Sequence, residues 1–180
     1  MVLSPLLVLH IWPMELPLLL LLRKSSTSVV ITIFKARNRS YHDSFICIFS
    51  QGKADKMGLK GTCILRDYMY VAQDPVDQIM MGPAYAIARL LERTGLTVAD
   101  IDVWEIHEAF AGYVLAFFEA LKTEKFCKKT IGVKNVVGEI PMEKVNNWGG
   151  SLSIGHPFGA TGIRLVSHCA NRLKVNQSLE

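Results

Sequence analysis

Residues 147–162 read NWGGSLSIGHPFGATG, and this glycine-rich stretch guides the interpretation of the rest of the chain. Its glycines permit positive φ values and close approach of the backbone to other groups. His156 lies between Gly155 and Pro157, and the proline restricts the backbone directly after the imidazole. A histidine held in this way just before a helix suits a general base, although spacing alone fits a structural role equally well. The stretch is not a phosphate-binding loop, because it lacks both Gly-Lys-Ser/Thr and the G-x-G-x-x-G spacing.

The segments around this stretch alternate between strand and helix patterns. Residues 62–72 (TCILRDYMYVA) and 101–107 (IDVWEIH) predict strands, since they are rich in β-branched and aromatic residues. Three amphipathic helices are predicted by apolar residues at i, i+3, i+4 and i+7: one from Gly82-Pro83 to Gly95, one over about residues 109–122, and a final one carrying Val166, Cys169, Ala170 and Leu173. Residues 123–145 are predicted to form a loop. This alternation predicts an α/β fold with helices packed on a sheet.

A second candidate site is the motif His107-Glu108-Ala109-Phe110, at a predicted strand-to-helix junction. Strand ends in α/β sheets are where ligand sites form, and a histidine there can donate a hydrogen bond to a developing oxyanion. The motif is not that of a zinc protease, because the second histidine of H-E-x-x-H would fall at Ala111. Taken alone, a histidine at such a junction is more often structural.

Together, the two motifs resemble the thiolase family (3-ketoacyl-CoA thiolase, or acetyl-CoA acyltransferase). Residues 147–162 resemble the thiolase signature, and residues 107–110 resemble the family's Asn/His-Glu-Ala-Phe motif. The resemblance extends over about residues 54–173. It implies an α/β thiolase-like C-terminal domain, a mixed sheet with helices packed on it.

The resemblance also implies roles for individual residues. Thiolases cleave a 3-ketoacyl-CoA with free CoA, and a nucleophilic cysteine carries the acyl group. His156 would take the proton of that cysteine, and His107 would help to bind the thioester oxygen as an enolate forms. Ala109, Phe110 and Gly155 would contact the substrate. CoA and acyl-CoA would be the substrates, with no separate cofactor and no metal.

The four cysteines are expected to serve other purposes than catalysis. They are Cys47, Cys63, Cys127 and Cys169, and none matches a catalytic motif of the family or lies at zinc-ligand spacing with a histidine. Cys169 lies on the apolar stripe of the final helix, so burial is its expected role. The resemblance also implies a second catalytic cysteine, near the family's C-terminus, that shuttles the other proton. We therefore expect a truncated thiolase domain that lacks both catalytic thiols and is inactive alone.

Residues 1–50 differ from the rest of the chain. Met1–Leu22 is strongly apolar, whereas residues 23–50 are basic and rich in Ser and Thr. The apolar part is interrupted by Pro13, Glu15 and Pro17 and is a poor signal peptide or membrane span. The basic part is compatible with an organelle transit peptide or with no evolved role. We predict a division into a segment 1–50 that is not thiolase-like and a domain 51–180.

Composition excludes few partners. The net charge is +4, and the basic residues are scattered, so nothing favours nucleic-acid binding. The resemblance implies CoA binding, association with thiolase subunits and, through the histidine in the second motif, a mitochondrial location. Two other interpretations stay open: a non-catalytic partner of a full-length thiolase, and an unstable product of an alternative transcript.

Overall fold

The computed structural model describes residues 18–23, 29–35, 44–60 and 63–176. The strands in these ranges are β1 Leu18–Arg23, β2 Val29–Lys35, β3 Ser44–Ser50 and β4 Cys63–Tyr70. The α-helices there are α1 Gln51–Lys56, α2 Gly82–Thr94, α3 Ala111–Leu121, α4 Ser151–Ile154 and α5 Thr161–Asn176. Shorter turns are 3-10 helical at Val98–Asp100 and Met142–Lys144 and π-helical at Lys125–Ile131.

The four strands form one antiparallel sheet in the order β1-β4-β2-β3. Burial alternates along the second half of β4, because successive side chains of a strand point to opposite faces. Met69 accordingly packs against the core, while Tyr68 and Tyr70 are exposed. The strand predicted over residues 62–72 is confirmed.

The other three strands fall within residues 1–50, where the sequence analysis predicted none. β2 (VVITIFK) and β3 (SFICIFS) are rich in β-branched and aromatic residues, which favour strands. Residues 1–17, which hold most of the apolar stretch, lie outside the described residues, and the domain division at residue 50 stays a prediction.

The predicted helices are confirmed with small changes at their ends. Pro83 lies in the first turn of α2, where its missing N–H is tolerated, and Gly95 closes the helix with a left-handed φ of 67°. Helix α3 begins two residues later than expected, at Ala111. Part of the predicted loop 123–145 is helical, in the two short turns named above. None of the helices in the described ranges is long and apolar enough to cross a bilayer.

The predicted strand over residues 101–107 is wrong. The segment is buried and extended, but its only ladder contact is a parallel bridge between Trp104 and Val145. The backbone groups of Ile106 bind a side chain, as described below, and those of Trp104 bind the backbone of Lys144 and Asn146, so the residues favour a strand without forming one. The β-branched and aromatic residues of this segment could not reveal which partner would take the backbone hydrogen bonds.

The buried extended segment lies between α2 and α3 on one side and α5 on the other. Its apolar side chains are fully buried with those of the helices: Ile87, Leu90, Ile101, Trp104, Ile106 and Phe117. On α5, the predicted stripe is buried as expected: Val166, Cys169, Ala170 and Leu173. The segment that ends at His107 is therefore packed within the core.

Candidate active site

Asn146 holds the extended segment that leads to His107. Its side-chain oxygen accepts the N–H of Ile106 at 2.8 Å, and its amide nitrogen donates to the carbonyl of Ile106 at 2.9 Å. Next to it, the backbone N–H of Asn146 donates to the carbonyl of Trp104 at 2.9 Å. One side chain thus replaces the neighbouring strand that the segment would otherwise require. Asn146 has a φ of 47°, a left-handed value that asparagine tolerates better than most residues.

Glu108 connects this segment to the glycine-rich stretch. Its carboxylate accepts a hydrogen bond from the Asn146 amide at 2.7 Å and one from the backbone N–H of Leu152 at 3.1 Å. The same carboxylate lies against Gly150, where an added Cβ would come within 1.9 Å of Oε2. Glycine is therefore required at position 150 by close packing, and the two histidine-bearing segments are fixed to each other.

His156 lies at the turn that leads into α5. Gly155 before it has a φ of 89°, which favours glycine. Nδ1 of His156 lies 2.7 Å from the hydroxyl oxygen of Thr161. That hydroxyl donates to the carbonyl of Pro157 at 3.2 Å, so its lone pairs are available to accept a proton from Nδ1. In this arrangement Nε2 of His156 carries a lone pair that can accept a proton.

The structure brings the two histidines together. Their ring centroids are 4.1 Å apart, with an angle of 40° between the ring planes. His107 is buried, whereas His156 is partly exposed. Nδ1 of His107 lies 2.8 Å from the hydroxyl oxygen of Ser151. That oxygen accepts a hydrogen bond from Arg164 at 2.8 Å. Each imidazole therefore has its Nδ1 bound to a hydroxyl.

The predicted substrate-binding residues lie at the exposed side of this pair. Gly155 is exposed directly before His156, Ala109 is half-buried, and Phe110 has 60% of its surface exposed. The nearest described ring to Phe110 is that of Tyr113, at 6.0 Å, and not an imidazole. Phe158, which the sequence analysis did not select, is 81% exposed and its ring lies 4.9 Å from that of His156.

The cysteines with described side chains do not join the histidines. Cys63, Cys127 and Cys169 are free thiols, and none of them hydrogen-bonds to His156. Burial raises the pKa of Cys63 to about 12 and that of Cys169 well above its ordinary value. Both thiols therefore stay protonated at neutral pH and are poor nucleophiles. Within the described ranges, no three His, Cys, Asp or Glu side chains converge as metal ligands would.

Sequence reasoning missed the residues that support the histidines: Asn146, Glu108, Ser151, Thr161 and Arg164. All but Glu108 lie in or beside the glycine-rich stretch, and Glu108 was quoted only as part of a motif. The hydroxyl residues at the first position of α4 and of α5 were an available signal, because they follow directly on turns that contain or flank the histidines. Their partners could not be inferred from spacing.

Comparison with known proteins identifies the class to which this site belongs. The family model described as the thiolase C-terminal domain matches residues 59–179. The chain therefore belongs to the thiolase family, and its paired histidines lie in the two motifs that resemble those of thiolases.

Individual relatives narrow the comparison. The chain is 54% identical over 131 residues to the human mitochondrial trifunctional enzyme subunit beta, covering 73% of this chain and 28% of that protein. It is 53% identical over 142 residues to a probable 3-ketoacyl-CoA thiolase of Caenorhabditis elegans, covering 77% and 32% of the two chains. The structure of human mitochondrial 3-ketoacyl-CoA thiolase in complex with CoA matches with a TM-score of 0.56 and 27% identity, covering 74% of this chain and 29% of that one. The chain thus spans about a third of the length of these relatives, and the predicted family and fold class are confirmed.

Proposed function

We propose that this chain supplies the histidine side of a thiolase active site, for acyl transfer between a 3-ketoacyl-CoA and CoA. The observation that carries the proposal is the pair of imidazoles 4.1 Å apart, each bound through Nδ1 to a hydroxyl. For His156, this arrangement leaves the lone pair of Nε2 able to accept a proton from a thiol. One imidazole can accept a proton while the other donates a hydrogen bond, which is what cleavage of a carbon–carbon bond next to a thioester needs.

His156 is the general base in this proposal. Nε2 of His156 takes the proton of a cysteine thiol, and the resulting thiolate attacks the keto carbon of the 3-ketoacyl-CoA. The bond between C2 and C3 then breaks, which leaves the acyl group on sulfur and releases the enolate of acetyl-CoA. A second cysteine thiol of the thiolase site protonates that enolate, which gives acetyl-CoA. The resulting thiolate takes the proton of a CoA thiol, and the CoA thiolate removes the acyl group and regenerates the nucleophilic cysteine thiolate.

His107 stabilises the negative charge that develops during this step. As the enolate forms, charge accumulates on the thioester oxygen, and a fixed donor near that oxygen lowers the barrier. Burial of His107 favours the role, because a hydrogen bond is electrostatically stronger where water is excluded. The half-buried Ala109 and the exposed Phe110 and Gly155 would contact the CoA-linked part of the substrate. The side chains and the CoA substrates account for the chemistry, and we propose no separate cofactor.

The 180-residue chain alone is proposed to be inactive. The thiol of Cys63 is partly buried and that of Cys169 fully buried, and both have raised pKa values. Cys127 is buried, and its Sγ donates to the carbonyl of Leu121 at 3.2 Å. None of these sulfurs is placed to attack a substrate beside His156. The nucleophilic thiol would come from another polypeptide of the thiolase family.

A thiolysis assay with a 3-ketoacyl-CoA and CoA tests both parts of the proposal. We expect no turnover from the chain alone. We expect turnover when it is co-expressed with human mitochondrial trifunctional enzyme subunit beta from which the region matching this chain has been removed. In that complex, His156→Ala should lower kcat by about 10²–10⁴-fold, whereas Lys128→Ala, an exposed change on the π-helical turn, should not.

Two results would contradict this proposal. Turnover by the chain alone that His156→Ala abolishes would show that it contains its own nucleophile. A complex that forms but works equally well with His156→Ala would show that this histidine is not the base. A mitochondrial location is also proposed, from the similarity to mitochondrial relatives, and imaging of the tagged full chain in cells would test it.

A second candidate function is that of a non-catalytic partner of a full-length thiolase. Large apolar side chains near the histidines are strongly exposed, such as Phe158 at 81% and Leu152 at 59%. Exposed apolar surface of this kind is typical of an interaction site. Co-purification with an intact thiolase, lost in Phe158→Ser, would support this function, and no association at high micromolar concentration would exclude it.

A further inference from the structure

The chemistry available from His107 depends on which of its two ring nitrogens carries the proton. A neutral imidazole has one donor nitrogen and one acceptor nitrogen, and the partner of one nitrogen sets the role of the other. For His107, Nδ1 lies 2.8 Å from the hydroxyl oxygen of Ser151. The tautomer is therefore decided by whether Ser151 donates its proton to Nδ1 or accepts one from it.

The surroundings of Ser151 favour donation. Its oxygen accepts a hydrogen bond from Nη2 of Arg164 at 2.8 Å, and a guanidinium group can only donate. If Nδ1 also donated to Ser151, the hydroxyl proton would have no acceptor among the described residues. Ser151 is 8% exposed, and a buried donor without an acceptor is costly. Donation to Nδ1 satisfies all three groups.

Arg164 is itself held in the orientation that this arrangement needs. Its second terminal nitrogen, Nη1, donates to the backbone carbonyl of Gly149 at 3.3 Å, two residues before Ser151 begins α4. The guanidinium is therefore bound at both ends of a short span, to Gly149 and to Ser151. Its fixed positive charge lies against the oxygen of Ser151 and makes that hydroxyl a better donor.

The environment of His156 provides a contrast within the same site. The hydroxyl of Thr161 has another acceptor, the carbonyl of Pro157 at 3.2 Å, and no described guanidinium donates to it. Thr161 can therefore accept from Nδ1 while its own proton stays paired, whereas Ser151 could accept from Nδ1 only by leaving its proton without a described acceptor. Two similar contacts, at 2.7 and 2.8 Å, thus differ in the direction of the hydrogen bond.

We propose that Ser151, oriented by Arg164, is a positioning residue that holds His107 with its proton on Nε2. This deepens the proposed function and rests on it for its purpose, because the Nε2 proton is the one that would be donated to a developing oxyanion. The assignment itself concerns only the resting chain and does not depend on turnover.

Nitrogen-15 NMR of the full chain, labelled at the histidine rings, tests the proposal at about pH 8, where an imidazole of ordinary pKa is neutral. His107 is assigned from its own ring and backbone resonances. We expect its Nδ1 to resonate as an unprotonated, hydrogen-bonded nitrogen and its Nε2 as a protonated one. In Ser151→Ala, the Nδ1 resonance should move towards that of an imidazole nitrogen without a donor partner, and the two ring shifts should approach each other as tautomers mix.

The matched control is Ser153→Ala, on the same helix. Its hydroxyl donates to the carbonyl of Gly150 at 3.0 Å and contacts no described imidazole, so the His107 resonances should be unchanged. Ser151→Thr keeps the hydroxyl and should retain the wild-type shifts. A protonated Nδ1 in the wild-type chain, or identical His107 shifts in Ser151→Ala, would overturn the proposal. The wild-type spectrum decides even if a variant does not fold, and no outcome depends on the acyl-transfer assay.

Discussion

The chemistry of a single residue in this chain depends more on the groups that contact it than on its residue type. His107 and His156 are the same residue 4.1 Å apart, yet one is bound to a serine that faces a guanidinium and the other to a threonine that faces a carbonyl. The cysteines show the same dependence. A thiol is a strong nucleophile only where its surroundings stabilise the thiolate, and burial does the opposite.

The stability of the chain should therefore depend on the titration of Cys63. Burial raises its pKa from 9.0 to about 12, so the folded chain keeps the proton that the unfolded chain loses. The stabilisation is complete below the unfolded value of 9.0 and is lost as the pH rises towards about 12. We expect the free energy of unfolding, measured by urea denaturation, to fall between pH 9 and 11 more steeply in the wild-type chain than in Cys63→Ala.

The comparison between the two chains isolates this group, because lysines and tyrosines titrate in both. Cys127→Ala is a second variant for comparison, because it removes a different thiol, one that is fully buried. Parallel pH profiles for the wild-type chain and Cys63→Ala would contradict the prediction.

At the scale of structural elements, one side chain takes the place of a strand. The buried segment 101–107 is extended, and Asn146 binds both the N–H and the carbonyl of Ile106, at 2.8 and 2.9 Å. A third bond from Asn146, to Glu108 at 2.7 Å, extends the connection to the start of α4. The position of His107 therefore depends on a residue 39 positions further along the chain.

Asn146→Ala is expected to destabilise the chain by about 2–4 kcal/mol, because it leaves buried backbone groups of Ile106 without partners. Thermal or urea denaturation measures the loss. The neighbouring Asn147→Ala is the matched control, since Asn147 is exposed and binds only the carbonyl of Glu143, so it should cost less than about 1 kcal/mol. Equal losses in the two variants would show that Asn146 has no special role in the fold.

The contact between Gly150 and Glu108 leads to a second prediction at this scale. A Cβ at position 150 would lie 1.9 Å from Oε2 of Glu108, and that carboxylate cannot move away without losing its bonds to Asn146 and Leu152. Gly150→Ala should therefore destabilise the chain by about 1–3 kcal/mol, as measured by the urea midpoint.

Gly112→Ala provides the control for this change. Gly112 lies in α3 with no atom within 4 Å of an added Cβ, so alanine there should be neutral or stabilising by up to about 1 kcal/mol. If Gly150→Ala is as well tolerated as Gly112→Ala, the packing argument for Glu108 is wrong.

At the scale of the whole molecule, a buried ion pair joins the final helix to the segment that leads to His107. Arg172 on α5 donates to the carboxylate of Glu105 at 2.5 Å and to the backbone carbonyls of Trp104 and Lys144, at 3.4 and 3.0 Å. Glu105 is 0% exposed and Arg172 is 4% exposed. Burial raises the pKa of the Glu105 carboxyl, and the guanidinium of Arg172 opposes that effect.

Removing one partner of this pair should leave a buried charge uncompensated. Arg172→Met, which keeps much of the apolar stem, is expected to destabilise the chain by about 3–5 kcal/mol, measured by urea denaturation at pH 7. The exposed pair between Lys128 and Glu124 is the control, and Lys128→Ala should cost no more than about 1 kcal/mol. A loss for Arg172→Met as small as that of the control would show that α5 is held by apolar contacts alone.

The sequence predicted those features that depend on local pattern. The bounds of α2, from Gly82 to the left-handed Gly95, follow from proline and glycine chemistry, and the buried stripe of α5 follows from helical spacing. The strand β4 follows from its β-branched and aromatic residues. Each of these elements is determined by residues within about one turn or a few positions of one another, so one sequence is enough to find them.

Features that depend on distant pairing were not predicted. The strand expected over residues 101–107 is an extended segment, in which the backbone groups of Ile106 bind the side chain of Asn146 instead of a neighbouring strand. Three strands within residues 1–50 were missed although their composition favours them. A strand is completed by partners elsewhere in the chain, and spacing within a segment contains no information about those partners.

By itself, the sequence determined the family of this chain and pointed to the two histidines of the candidate site, since glycines, a proline and short motifs mark them locally. Only the tertiary structure decided that the two imidazole rings lie together. It also decided that Ser151 binds Nδ1 of His107 and that Thr161 binds Nδ1 of His156. The reason is physical. The direction of a hydrogen bond depends on every group that contacts the hydroxyl, and Arg164 and Pro157 reach those hydroxyls only once the chain is folded.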